Sequence, residues 1–281
     1  MGRIVRFFIS FKMKTVRGGS DMAFLTLSMY SDALSMDTNV SVILPEKRKG
    51  GREEVNYRKY PVLYCLHGHG DDHTAWIRKS NIEVVARNYQ VVVVMPTVQR
   101  GYYVDGYQGL AYYTYLTKEL PVKMANFFPI SLKREDTYIM GNSMGGYGAF
   151  RIALANPDKY AAAVALSPAL PQVLYKYKNE FTRGMELAVG PEDQFSGSDN
   201  DLLKLADDLN AYKDEKPKLY ATCGNQDWIS SEGFKLLDEH IRENDQNLDY
   251  ESWTEDGEHN WDFWNPQIKK SIELFGFKEM D

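Results

Sequence analysis

From residue 22 to the C-terminus, short apolar segments of strand character alternate with segments whose apolar residues recur at helical spacing. This alternation constrains the fold most, because it is typical of a mostly parallel sheet covered by helices on both faces. The alternation pauses over residues 168–213, which are rich in charge and glycine, and we predict a small helical cap insertion there. No linker divides residues 22–281, so we predict a single domain.

The chain opens with two strands that we expect to form an antiparallel pair at the sheet edge, joined by a turn at residues 37–39. The predicted cap contains a helix whose N-cap we assign to Ser198, whereas Asp193, Asp199 and Asp201 are expected to be solvated or to cap helices. The strands are predicted at 22–31, 40–45, 60–66, 90–96, 137–140, 161–166, 218–223 and 248–253, and the main helices at 81–88, 112–128, 145–155, 230–243 and 261–275.

Composition excludes several classes of function. The net charge of −6 leaves no broad basic surface, which makes nucleic acid a poor partner. No run approaches the ~20 apolar residues of a membrane-spanning helix, so we expect no membrane partner. Cys65 and Cys223 lie in predicted buried strands without metal-ligand spacing, and we expect a reduced thiol pair in a cytoplasmic protein.

Residues 1–21 differ from the rest of the chain, because five basic residues there face one acidic residue, Asp21. The segment is a weak secretory signal, since Arg6 interrupts its apolar stretch. We predict an N-terminal extension that is either disordered or not native, with Met22 as the true start in the second case.

The main chemical motif is Gly141-Asn142-Ser143-Met144-Gly145, a G-x-S-x-G between a predicted strand and a predicted helix. A serine at the top of such a turn must adopt a strained backbone, and glycine at the flanking positions avoids collisions with the neighbouring chain. The motif predicts an α/β-hydrolase fold with Ser143 as nucleophile, against the alternative of a glycine-rich turn with an incidental serine.

A serine hydroxyl needs a base within hydrogen-bond reach. In α/β-hydrolases the chain order is Ser, acid, His, which leaves His240 and His259 as candidates. His240 lies in a predicted surface helix, whereas His259 lies in the loop after the last strand, so we predict His259 as the base. Asp227, in the loop after the strand that follows the cap, is the predicted orienting acid.

An oxyanion hole requires two backbone amides. Met144, the residue after the nucleophile, supplies one. The loop after the 60–66 strand supplies the other, for which we favour His69, with Gly70 as the alternative. The competing interpretation is that His67 and His69 belong to a polar loop without a catalytic role. A metal site is disfavoured because no third ligand stands at a suitable spacing.

With these residues placed, residues 22–281 resemble the esterase D family, and within it the bacterial tributyrin and acetyl esterase branch. The resemblance rests on L-H-G at 66–68, H-T-A-W at 73–76, G-N-S-M-G-G-Y-G-A at 141–149, G-S-D-N-D-L at 197–202 and G-E-H-N-W-D-F-W at 257–264. It implies hydrolysis of short-chain acyl esters through an acyl-enzyme, with the Ser143, Asp227 and His259 triad. It implies no cofactor, and it is compatible with a homo-oligomer.

The same resemblance suggests that Trp76, Tyr102 or Tyr103, and Trp261 border the substrate pocket, although aromatic residues at such places are as often core. The alternative activity is that of an S-formylglutathione hydrolase, which uses the same triad on a thioester. The second alternative is a non-catalytic α/β-hydrolase-fold binding protein, which the intact set of three residues disfavours.

Overall fold

The computed structural model describes residues 22–46, 48–49, 52–53, 59–177, 179–244 and 247–277, and it has an eight-stranded sheet at its centre. In chain order the described strands are β1 (Met22–Ser31), β2 (Met36–Pro45), β3 (Arg48–Lys49), β4 (Arg52–Glu53), β5 (Val62–Leu66), β6 (Val92–Pro96), β7 (Thr137–Asn142), β8 (Ala162–Leu166), β9 (Lys218–Gly224) and β10 (Tyr250–Glu255). The sheet order is β1-β2-β6-β5-β7-β8-β9-β10, while β3 and β4 form a separate hairpin. β2 is antiparallel to both neighbours and the remaining pairs are parallel, which confirms the predicted mostly parallel sheet.

Helices connect the parallel strands. The helix predicted over 112–128 contains a π-helical turn at Tyr115–Glu119, and a single 3₁₀ turn lies at Arg134–Asp136. The described α-helices are α1 (Ala75–Lys79), α2 (Ile82–Arg87), α3 (Tyr112–Thr114), α4 (Leu120–Phe127), α5 (Met144–Ala155), α6 (Pro171–Leu174), α7 (Glu180–Val189), α8 (Glu192–Phe195), α9 (Leu202–Ala211), α10 (Ser231–Asn244) and α11 (Trp261–Leu274).

Every residue of β5, β6 and β8 is buried, because helices cover both faces of the sheet. Successive side chains therefore enter two different cores. In β5, Val62 and Tyr64 join the core that contains Phe150 of α5. Leu63 and Cys65 join the core on the opposite face, which includes residues of α2 and α11. The two layers hold α5 and α11 on opposite faces of the sheet.

The predicted turn at residues 37–39 is wrong. These residues lie inside β2 and pair with residues of β1, and the chain reverses instead at residues 32–35. Ser35 adopts a left-handed conformation with φ 53°, and its amide donates to the carbonyl of Asp32 at 3.3 Å. The two strands thus form an edge hairpin ten residues long on each side.

Four helices, α6 to α9, occupy the segment between β8 and β9 where we predict a cap. The predicted N-cap at Ser198 is wrong, because Asp201 caps α9 and accepts a hydrogen bond from the amide of Leu203 at 2.9 Å. Residues 1–21, the predicted N-terminal extension, lie outside the described residues. In the part of the chain that the structure describes, no helix is long and apolar enough to cross a bilayer.

Candidate active site

A sharp turn joins β7 to α5 at Ser143, which has φ 56° and ψ −119°. L-residues rarely adopt such a conformation, and here the amide of Ser143 donates to the carbonyl of Leu166 at 2.9 Å. Glycine is required at both flanking positions because a larger side chain would collide with the backbone nearby. A Cβ on Gly141 would lie 2.1 Å from the carbonyl oxygen of Gly145, and one on Gly145 would lie 2.2 Å from that of Leu66. The G-x-S-x-G motif therefore forms the predicted strained turn.

The three side chains predicted to act together meet at one edge of the sheet. Asp227 follows β9 and His259 follows β10. Both residues therefore lie beyond the carboxyl ends of strands that run parallel to β7, at the same edge of the sheet as Ser143. The Nε2 atom of His259 lies 2.8 Å from the Ser143 hydroxyl, and its Nδ1 atom lies 2.8 Å from Oδ2 of Asp227. Ser143 and His259 are 116 positions apart in the chain, and Asp227 and His259 are 32 positions apart. The three side chains thus form a continuous hydrogen-bonded row.

Asp227 is only 1% exposed. Its Oδ1 accepts hydrogen bonds from the amides of Ile229, at 3.0 Å, and Ser230, at 2.9 Å. Burial alone would raise the pKa of Asp227, but hydrogen bonds from His259, the Ser230 amide and Ser167 outweigh it and lower the pKa below its ordinary value. Asp227 is consequently held as a carboxylate facing the imidazole.

The loop after β5 passes directly beside the nucleophile. A Cβ on Gly68 would lie 3.5 Å from the Cβ of Ser143. His67 braces this loop, because its Nε2 accepts from the amide of Val98 at 3.1 Å while its Nδ1–H donates to the carbonyl of Gly68 at 2.8 Å. Burial lowers the pKa of His67, which favours the neutral ring that this arrangement requires.

The residues predicted for the oxyanion hole border the same turn. Met144 is the first residue of α5 and is fully buried. His69 is half-buried beneath α7, where a Cβ on Gly184 would lie 3.8 Å from its Nε2. Gly70 is exposed and adopts φ 81°. Which amides stabilise an oxyanion stays a prediction.

Three of the four aromatic residues predicted to border the substrate pocket are buried. Trp76, Tyr102 and Tyr103 have no exposed surface, so they cannot border a substrate directly in this structure. The hydroxyl of Tyr103 donates to the carbonyl of His67 at 2.6 Å and supports the loop after β5 from inside. Trp261 is half-buried and makes an edge-on contact with Trp76 at 5.3 Å, so it alone of the four retains an accessible surface.

Sequence reasoning missed three residues that contact the acid or the base: Ser167, Ser230 and Trp264. Ser230 Oγ lies 3.3 Å from Nδ1 of His259, and Trp264 makes an edge-on contact with the same ring at 5.0 Å. The only available signal was the second tryptophan of the G-E-H-N-W-D-F-W motif. By contrast, His240 of α10 pairs with Asp207 of α9 at 2.8 Å in an exposed contact, as its predicted surface position suggested.

Chemically, the arrangement can move the proton of the Ser143 hydroxyl to an imidazole whose orientation a carboxylate holds. Such a group attacks acyl carbonyls without a metal ion in the mechanism. Within the described residues, no cluster of three or more His, Cys, Asp or Glu side chains could hold a metal.

The chain is similar to known esterases over most of its length. The model of the Esterase family, described as "Putative esterase", matches residues 31–274. An acetyl esterase from Caldicellulosiruptor saccharolyticus is 30% identical over 264 residues, which is 90% of this chain and 97% of the relative.

Two solved structures from Staphylococcus aureus are similar over nearly the whole chain. The fluorophosphonate-binding serine hydrolase FphF, with substrate bound, is 32% identical with a TM-score of 0.81, covering 90% of this chain and 98% of that one. The S-formylglutathione hydrolase FrmB, an apoenzyme, is also 32% identical, with a TM-score of 0.79 and coverage of 91% and 99%. The similarity therefore extends well beyond the motif around Ser143.

Proposed function

This chain belongs to the esterase D family of α/β-hydrolases and is a serine esterase, and from this premise we propose that it hydrolyses short-chain acyl esters, from acetyl to butyryl, through an acyl-enzyme intermediate. The observation that carries the proposal is the hydrogen-bonded row Ser143–His259–Asp227, with both contacts at 2.8 Å. A family member that had become a binding protein would have no need to maintain this row.

In the proposed mechanism, His259 takes the Ser143 proton as Oγ forms a bond to the ester carbonyl carbon. The amides of Met144 and of His69, or Gly70, stabilise the oxyanion. His259 returns the proton to the departing alcohol, which leaves the acyl group on Ser143. A water molecule then gives a proton to His259 as it attacks the acyl carbon, and His259 returns that proton to Oγ of Ser143 as the carboxylic acid leaves. Asp227 holds the imidazole and stabilises its charged form throughout.

The proposed acyl preference rests on two observations. The acetyl esterase relative matches 90% of this chain. In addition, α7 of the cap crosses His69, with Gly184 at the crossing, and so restricts the space next to the proposed oxyanion hole. Initial rates on p-nitrophenyl esters from acetyl to octanoyl should fall beyond butyryl. A rate that rises steadily to octanoyl would contradict this part of the proposal.

The catalytic assignment is tested by labelling with a fluorophosphonate probe, which reacts with an activated serine. Intact protein should gain one label on the peptide that contains Ser143, and Ser143→Ala should gain none. The matched pair His259→Gln and His240→Gln should differ, because only His259 contacts Ser143. Labelling that survives Ser143→Ala, or is lost equally in both histidine variants, would sink the assignment.

Thioester hydrolysis is the second candidate, and the similarity to the S-formylglutathione hydrolase FrmB over 91% of this chain favours it. Both activities use the same proposed triad. The ratio of kcat/KM for S-formylglutathione and p-nitrophenyl acetate separates them, since a preference of several orders of magnitude for the thioester would replace the ester proposal. A cytoplasmic location and a homo-oligomeric state stay predictions.

A further inference from the structure

Ser167 is the first residue after β8, is completely buried, and adopts a left-handed backbone with φ 47°. Its amide donates to the carbonyl of Thr222 at 2.7 Å, which holds this unfavourable conformation in place. A strained, buried residue next to a reactive centre justifies a search for a role. The two polar ends of Ser167, its carbonyl and its hydroxyl, both point to one.

The carbonyl of Ser167 accepts a hydrogen bond from the Ser230 hydroxyl at 2.9 Å. Because that hydroxyl donates its proton to Ser167, its oxygen faces Nδ1–H of His259 as an acceptor, 3.3 Å away, and shares this N–H with Asp227, which lies closer at 2.8 Å. Ser167 therefore fixes a second contact of the base through Ser230.

The hydroxyl of Ser167 accepts a hydrogen bond from Nε1 of Trp264 at 3.1 Å. An indole N–H can only donate, so the Ser167 proton is left free to donate elsewhere. The Asp227 carboxylate and the Cys223 sulfur both lie within its reach, and the interaction with Asp227 helps to lower the pKa of that carboxyl. Among the described residues, His259 and Cys223 are the titratable side chains that also hydrogen-bond Asp227.

Trp264 contacts the base as well as Ser167. Its ring lies edge-on to the His259 ring, with centroids 5.0 Å apart and planes at 85°, and it is 5% exposed. One buried indole thus limits the tilt of the imidazole and orients the hydroxyl that faces the acid.

We propose that Ser167 and Trp264 are positioning residues of this esterase, which hold Asp227 and His259 in register through the row Trp264–Ser167–Asp227. The proposal rests on the proposed triad. It adds that the geometry of the acid and base depends on a serine and a tryptophan that do not contact the substrate.

The test measures kcat/KM for p-nitrophenyl acetate against pH in Ser167→Ala, Ser167→Gly and Trp264→Phe. The two Ser167 variants should lose about tenfold or more, the rate equivalent of one hydrogen bond to a charged group, and Trp264→Phe, which removes a neutral hydrogen bond, about threefold or more. Without the Ser167 hydroxyl, the negative charge of the Asp227 carboxylate is offset less and stabilises a protonated imidazole more strongly. The acidic limb of the pH profile of kcat/KM should therefore move to higher pH. The double variant Ser167→Gly/Trp264→Phe should lose less than the product of the single losses, because both act through one row.

Two comparisons separate positioning from simple destabilisation. Glycine adopts the left-handed conformation freely, so Ser167→Gly should melt at a higher temperature than Ser167→Ala and yet lose as much activity. Trp253→Phe is the matched control, because it removes a tryptophan N–H bond, to Gln267 at 2.8 Å, outside the site; it should keep both the rate and the acid limb.

The proposal is overturned if Ser167→Gly stays within about twofold of the wild-type rate with an unmoved acid limb, or if Trp253→Phe loses as much as Trp264→Phe. Full activity in Ser143→Ala would instead overturn the proposed function, so the two failures are distinguishable.

Discussion

Gly148 shows how closely single residues of α5 are matched to the loop that borders Ser143. A Cβ at this position would lie 2.2 Å from the ring of Tyr103, whose hydroxyl supports the carbonyl of His67. Tyr103 is fully buried and cannot move aside. We expect Gly148→Ala to lower the free energy of unfolding by about 1–3 kcal/mol, as overpacking of a core does, measured by urea denaturation.

Gly184 in α7 is the matched control, because its substitution would place a Cβ at ordinary contact distance, 3.7 Å from Arg100. Alanine is the better helix former, so Gly184→Ala should raise the unfolding free energy by up to about 1 kcal/mol. Equal effects of the two substitutions, in either direction, would show that the space around α5 is not limiting.

At the residue scale, the sequence predicted the three side chains that meet, because motif, chain order and loop position act together. It could not predict which way the aromatic residues face. Trp76 lies in the five-residue helix α1, and Tyr102 and Tyr103 lie in a loop, so no periodic pattern is long enough to separate a buried ring from one that borders a pocket. Ser167 and Trp264 were missed for a related reason, since their partners are 60 and 97 residues away along the chain.

At the scale of elements, helix α9 depends on its N-cap Asp201, one of the three acidic residues expected to be solvated or to cap helices, and not on Ser198. Asp201 accepts hydrogen bonds from the amides of Leu203 and Gly197, each at 2.9 Å, and from the Gln172 side chain. The Ser198 hydroxyl, by contrast, accepts one hydrogen bond among the described residues, from the amide of Asn200 at 3.2 Å. Asp201→Ala should therefore lower the unfolding free energy by roughly 1–2 kcal/mol, and Ser198→Ala by less than about 0.5 kcal/mol.

Thermal or urea unfolding of both variants checks this difference, and Asp201→Asn, which keeps an acceptor oxygen, should recover part of the loss. If Ser198→Ala cost as much as Asp201→Ala, the cap of α9 would be shared between the two residues. Because α9 packs on α5, a frayed α9 should also reduce the esterase rate.

Strand and helix existence was predictable for the central sheet, because strands buried on both faces are uniformly apolar and the helices between them are amphipathic. The first hairpin was harder. Its turn at residues 32–35 is held by Glu119, which accepts from the Ser31 hydroxyl and from the amides of Asp32 and Ala33, 86 to 88 residues away. Local turn chemistry favoured residues 37–39, but the carboxylate of Glu119, distant in the chain, stabilises the turn at residues 32–35.

At the scale of the whole molecule, buried histidines and hydrogen-bonded carboxylates make stability depend on pH in two adjoining ranges. Burial, the charge of Arg100 and the neighbouring His67 ring lower the pKa of His69 from its ordinary 6.5 to about 4. Partial burial would raise the pKa of Glu119, but hydrogen bonds from Lys123, from Ser31 and from two backbone amides lower it from its ordinary 4.5 to about 2.

In both ranges the unfolded chain binds more protons than the folded protein, so stability is lost as the pH falls. The histidine range extends from about pH 6.5 down to 4, and the Glu119 range from about 4.5 down to 2. Urea midpoints measured from pH 7 to 3 should therefore decline throughout. His69→Gln should make the decline less steep in the upper range, whereas Glu119→Gln should lower the midpoint at neutral pH and make the decline less steep in the lower range. A His69→Gln profile as steep as the wild type between pH 6.5 and 4 would show that the folded protein protonates His69 without cost, which its position beneath α7 and beside Arg100 argues against.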